Sequence, residues 1–135
     1  MKSHFYHIQV NISFVNLAFY KDLMNILGWS IIFETNDTIG FKSEKSGDLW
    51  FVDNSDSEAI NFDKKGMNHI AIRVEKSNDI DSLVTYLKEK GVQTLFETPR
   101  HRPEFTSNQS ETYYQVMFAS PDNVLFEIVY IGVKA

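Results

Sequence analysis

Apolar and polar residues alternate along two short stretches that resemble each other. His7-Ile8-Gln9-Val10-Asn11-Ile12 and His69-Ile70-Ala71-Ile72-Arg73-Val74 each start with histidine and place an apolar residue at every second position. That period of two predicts half-buried strands, with His7, Gln9 and Asn11 on one face and His69, Ala71 and Arg73 on the matching face of the second. A period near 3.6 follows each strand. Phe14, Leu17, Tyr20, Met24 and Leu27 form one helical stripe, with Ser13 as its expected cap. Ile80, Leu83, Val84 and Leu87 form the other, with Ser77 or Asn78 as cap. Gly28 and Gly91 stand where the two helices should end.

The parallel continues. Ile31-Ile32-Phe33-Glu34-Thr35 is nearly repeated by Thr94-Leu95-Phe96-Glu97-Thr98. Third strands are expected at Thr38 to Lys42 and Tyr113 to Ala119. Fourth strands are expected at Leu49 to Val52 and Leu125 to Tyr130, with Phe51 opposite Glu127 in the repeat. The second half has a longer loop, Pro99 to Thr112, before its third strand. The pattern is βαβββ written twice: an α+β chain with module one at about 1–53, a polar linker at about 54–66 and module two at about 67–135.

Composition narrows the function. The 135 residues suit a single domain, and 43% hydrophobic content supports a core. Thirteen basic against eighteen acidic residues give a net charge of −5. That balance speaks against a nucleic-acid or anionic-membrane surface. With no cysteine there is no disulfide, thiolate metal site or cysteine nucleophile. No apolar run reaches the length of a membrane span. The expectation is a soluble cytoplasmic protein that either handles a small molecule or binds another protein.

Glu127 is the most telling single residue. It lies in Val124-Leu125-Phe126-Glu127-Ile128-Val129-Tyr130, where both strand faces are otherwise apolar, so its carboxylate should be buried. A buried charge needs a partner. Two partners are open: an arginine such as Arg73, or a metal held with His7 and His69. Two imidazoles and one carboxylate suit Fe, Mn, Zn, Ni or Co. The long loop adds Arg100 and His101, and the strand after it adds Tyr113 and Tyr114. Arg100 or His101 could meet an anionic substrate group, and either tyrosine could hydrogen-bond near the metal.

These residues resemble the vicinal oxygen chelate superfamily: glyoxalase I, bleomycin-resistance proteins, extradiol dioxygenases, fosfomycin-resistance enzymes and methylmalonyl-CoA epimerase. The resemblance rests on His7-Ile8-Gln9-Val10, Phe19-Tyr20, Leu27-Gly28-Trp29, Asn68-His69-Ile70-Ala71, and the run from Tyr113 to Ile128. Its most specific part is Ser120-Pro121-Asp122-Asn123 leading into Leu125-Phe126-Glu127-Ile128, with Asn123 where glycine is usual. The resemblance implies paired βαβββ modules forming a curled mixed sheet around a central cleft. It implies His7, His69 and Glu127 as ligands of a divalent metal ion, with Tyr113 or His101 assisting proton transfer. Arg73, Arg100 and Tyr114 are the expected substrate contacts. The fourth ligand position of some members falls on or beside Phe51, which would border the substrate instead. The implied activity is metal-assisted chemistry on a small oxygenated molecule (lyase, isomerase or ring-cleaving dioxygenase), in a homodimer. The alternative is a metal-free, drug-sequestering protein of the bleomycin-resistance type.

Overall fold

A computed structural model describes residues 1–56 and 58–134. The chain divides into two compact units, Met1–Glu58 and Ala59–Ala135. Each carries one four-stranded mixed sheet and one main helix, and neither sheet closes on itself.

In unit one, β1 (His7–Ile12) leads through a short turn of helix, Phe14–Asn16, into α1 (Leu17–Ile26). Strands β2 (Ser30–Glu34), β3 (Thr38–Lys42) and β4 (Asp48–Asp53) follow. The sheet order is β1-β4-β3-β2, with β1 parallel to β4 and the other pairs antiparallel. The helical stripe buries Tyr20, Leu23 and Met24 against Ile39, Phe41, Leu49 and Phe51. The expected cap from Ser13 makes no side-chain hydrogen bond there. Asp53 does the capping from the far end of β4, accepting the Phe14 N–H at 3.0 Å. That contact joins residues 39 apart in the chain that the β1–β4 pairing of Ile12 with Asp53 brings together, and it has no local sequence signal.

Unit two repeats the plan with β5 (Ile70–Val74), α2 (Ser77–Glu89), β6 (Thr94–His101), β7 (Glu111–Ala119) and β8 (Leu125–Val133). Its order is β5-β8-β7-β6, with β5 parallel to β8. Ile80, Leu83 and Leu87 of α2 are buried, as are Val116, Phe118, Phe126 and Ile128, which alternate along β7 and β8. The N-cap of α2 is Lys76, one residue before the expected pair, and the Asp79 carboxylate accepts the Lys76 N–H at 3.0 Å. Asn123 adopts a φ of 66°, the left-handed turn its place before β8 requires.

One expected loop is partly a strand. Pro99 to His101 belong to β6, which pairs Arg100 with Gln115 and His101 with Tyr114. The register shifts between Leu95 and Arg100, where Phe96 and Glu97 have positive φ and Thr98-Pro99 is cis. This irregularity hides a single long strand behind residues that read as a turn.

Candidate functional site

Strand β8 places Phe126 and Ile128 toward α2 and Glu127 on the opposite face. Glu127 is only 4% exposed. Three side chains of unit two meet its carboxylate. The Tyr113 hydroxyl donates to Oε1, and Gln115 Nε2 donates to the same oxygen at 2.9 Å. His69 Nε2 lies 3.0 Å from Oε2. Tyr113 and Gln115 sit two residues apart on β7, so one strand face delivers both donors.

The other side of His69 is also held. Its Nδ1 lies 2.8 Å from Asn68 Oδ1, and Asn68 Nδ2 donates to the Phe62 carbonyl at 2.7 Å. A carbonyl can only accept, so the Asn68 amide is turned with Oδ1 toward the imidazole. The proton of that hydrogen bond therefore sits on His69 Nδ1. Nε2 then confronts the Glu127 carboxylate with either a second proton or a lone pair.

A further arm from the loop reaches Gln115, the neighbour of Glu127. Arg102 Nη1 donates to Gln115 Oε1 at 3.0 Å, and Arg102 Nε donates to Glu104 at 2.5 Å. The Arg102 guanidinium lies 4.6 Å over the Phe105 ring, which packs edge-on against Tyr113 at 5.2 Å. The hydrogen bond from Arg102 holds the exposed Glu104 carboxyl below its ordinary range. Burial, and then the bond to Glu127, push the Tyr113 phenol up to about 12. Tyr113 is thus a neutral donor at ordinary pH.

The structure brings His69, Glu127 and Tyr113 together and sends other expected residues elsewhere. Arg73 donates to the Ile131 carbonyl at 2.7 Å and makes no contact with Glu127. The arginine partner expected for the carboxylate is therefore not Arg73. His101 and Tyr114 project on the opposite face of β6–β7 from Gln115. Their rings stack at 4.4 Å, His101 Nδ1 bonds Thr112 at 2.5 Å, and the Tyr114 hydroxyl donates to Asp81 of α2 at 2.7 Å. They line a separate cavity of about 460 Å³ with Ser77, Pro103 and Lys134. Of the two tyrosines, Tyr113 is the one beside Glu127, and His101 is not in its hydrogen-bond set. Arg100 pairs opposite Gln115 and shares its sheet face. Its Nη1 is 3.6 Å from Glu97, and its buried Nε has no partner among the described residues. Gln115, Arg102 and Asn68 are absent from the expected contacts, although Arg102 lies in the same charged loop as Arg100 and His101. Gln115 has the parity of Tyr113, which was the available signal, but nothing local marks Arg102 or Asn68.

In unit one, Phe51 is fully buried against Tyr20, at 4.6 Å, and Phe41, at 6.1 Å. It faces α1, not the face that His7 shares. Strand pairing explains the difference: Gln9 pairs Trp50 just as Ala71 pairs Glu127. Trp50, not Phe51, is the repeat counterpart of Glu127. Its indole covers Gly40, packs 5.6 Å from Phe33 and lies 6.5 Å from the exposed His7 ring. Within neither unit do three His, Asp or Glu side chains among the described residues cluster to hold an ion.

The sequence profile of the glyoxalase/bleomycin resistance protein/dioxygenase superfamily matches residues 4–128. The chain belongs to this superfamily. A search of curated proteins gave no match. Among solved structures, a candidate glyoxalase from Bacillus halodurans superposes with a TM-score of 0.75 at 25% identity, covering 93% of each chain. The fosfomycin resistance protein FosX from Listeria monocytogenes, in its complex with Mn(II) and sulfate, gives 0.67 at 23% identity, covering 96% of this chain and 91% of its own. This superfamily member therefore shares its fold with proteins whose architecture has been solved repeatedly.

Proposed function

We propose that this protein is a metal-dependent enzyme acting on a small oxygenated molecule, with His69 and Glu127 as two ligands and His7 as the third. The observation that carries the reading is the confrontation of His69 Nε2 with Glu127 Oε2 at 3.0 Å. With the Nδ1 proton committed to Asn68, a neutral His69 turns the Nε2 lone pair toward Oε2, and a shared cation would join the two. A divalent ion bound there would be held by Nε2 and Oε2 together. An imidazole whose other nitrogen donates to a fixed carbonyl is the usual form of a metal-bound histidine. The donor set of imidazoles and one carboxylate fits Mn, Fe, Co, Ni or Zn. His7 is assigned on its equivalence to His69 in the repeat and on the family resemblance.

When bound, a divalent ion would act as a Lewis acid toward neighbouring oxygens of the substrate. The chain's own residues supply the rest. Tyr113 holds its proton on the hydroxyl that faces Glu127 and so steadies the carboxylate. Arg100 lies on the same sheet face with its side chain 40% exposed, and its guanidinium is the candidate contact for an anionic substrate group. The apolar strand around Glu127 excludes water and strengthens each of these bonds. A homodimer is supported by edge strand β2, where Ile31, Ile32 and Phe33 are 47%, 43% and 47% exposed. No helix among the described residues is long and apolar enough to cross a membrane.

A metal-free, ligand-sequestering protein is the second reading, because 3.0 Å is also an ordinary N–H···O separation. A proton on Nε2 would then join His69 to Glu127 as an ion pair. Metal analysis of untagged protein separates the two. We expect about one divalent ion per chain, lost in His69→Ala and in Glu127→Ala. Equal metal content in all three proteins would refute the enzyme reading.

A further inference from the structure

The hydrogen bonds around Glu127 have directions that can be read without seeing a proton. Arg102 can only donate, so Gln115 must present Oε1 to it. The Gln115 amide then has only its NH₂ end left for Glu127 Oε1. Tyr113 donates to that same oxygen. Oε1 is thus occupied by two donors, and Oε2 alone is turned toward His69. The carboxylate, which only accepts, and the guanidinium, which only donates, grip the Gln115 amide at its two ends. Without Arg102 the NH₂ end still faces the carboxylate, but the oxygen end loses the bond that holds the amide in place.

We propose that Arg102 and Gln115 are positioning residues for Glu127: the arginine anchors the Gln115 amide by its oxygen, and the anchored amide makes Glu127 a one-oxygen ligand through Oε2. This rests on the metal reading above. Arg102 is then not a substrate anchor, although it sits in a basic loop. Its guanidinium is already fixed by Glu104, Gln115 and the Phe105 ring. Gln115 is 2% exposed, so its bonds to both neighbours are made away from competing water.

The test is calorimetric titration of Mn(II) into the wild type, Arg102→Met, Gln115→Met and the double variant. Each single change weakens Mn(II) binding about 10–100-fold, the usual loss for a residue that supports a ligand. The double variant binds no more weakly than Gln115→Met, because Arg102 acts only through the amide. An unaffected Arg102→Met, or losses that multiply in the double variant, overturns the proposal. A metal-free arm follows hydrogen exchange of the Gln115 side-chain amide by NMR. Protection in the wild type and its loss in Arg102→Met support the relay even if the wild type binds no Mn(II), in which case only the metal reading fails. Unchanged protection overturns the relay. If Gln115→Met does not fold, Arg102→Met alone carries both readouts, since that side chain lies partly at the surface, 22% exposed.

Discussion

The two units share one backbone plan and differ in what they place at one matched position. Trp50 pairs with Gly40 on β3, and Glu127 pairs with Met117 on β7. In unit one, a large indole fills the face that His7 shares, and the missing Cβ of Gly40 makes room for it. In unit two, the same place holds a carboxylate wrapped by Tyr113, Gln115 and His69. The scaffold sets where a side chain points. Which chemistry occurs there depends on the neighbouring strand, which must either clear space for an aromatic ring or supply donors for a charge. A carboxylate at position 50 would lack the amide that β7 supplies to Glu127, because β3 has Thr38, whose hydroxyl donates to Asp37, where β7 has Gln115.

The largest test of this contrast is metal-linked stability. An ion bound only by the folded state at about 1,000 times its dissociation constant contributes about 4 kcal/mol. Chelation should lower the melting temperature of the wild type by several degrees. Glu127→Gln should lose that chelator response, whereas Trp50→Phe should keep it. A wild type indifferent to a chelator that demonstrably strips its metal would place unit two with unit one as a purely structural face.

The next effect concerns the cleared space. A Cβ on Gly40 would come within 2.8 Å of three carbons of the Trp50 indole. Gly40→Ala should cost about 1–3 kcal/mol in denaturant unfolding, as overpacking does. Combining it with Trp50→Ala should cost less than the sum of the two changes. Simple additivity would mean that the indole readily moves aside.

A smaller effect belongs to unit two alone. Burial, followed by the hydrogen bond to Asp81, pushes Tyr114 up to about 12 from an ordinary value of 10.0. The folded state therefore holds a proton that the unfolded state gives up first as pH rises. The resulting stabilisation is full below pH 10 and is lost as pH climbs to about 12. Melting curves across that window should steepen their fall with pH in the wild type and less so in Tyr114→Phe. Identical slopes would show that the tyrosine titrates normally.

The smallest stability change is expected at the edge of unit one. Ile32→Lys on β2 should alter unfolding by no more than about 0.5 kcal/mol, as exposed substitutions do. It should nevertheless shift a homodimer toward monomer in sedimentation. An unchanged sedimentation profile would remove β2 as the contact.

Much of the architecture was legible because periodicity is local. His7 to Ile12, the stripe through Tyr20 and Met24, and the stripe through Ile80, Leu83 and Leu87 all lie in the elements their spacing announces. Glu127 could be recognised as a buried carboxylate because its strand neighbours are apolar on both faces. Strand β6 was less legible, since Pro99 reads as a breaker and the strand resumes beyond it.

Pairing and partnership were left to the tertiary structure. Side chains alternate with a period of two, so an alignment slipped by one residue moves a position to the other face. That slip put Phe51 where Trp50 belongs, and only the β1–β4 register corrects it. The partners of Glu127 come from three separate places along the chain, His69, Tyr113 with Gln115, and Arg102 behind them. Local sequence determines which residues want a partner, because burial and charge are properties of a short segment. Which partner each one finds depends on contacts that close only when distant strands pair, and those leave no period in the chain.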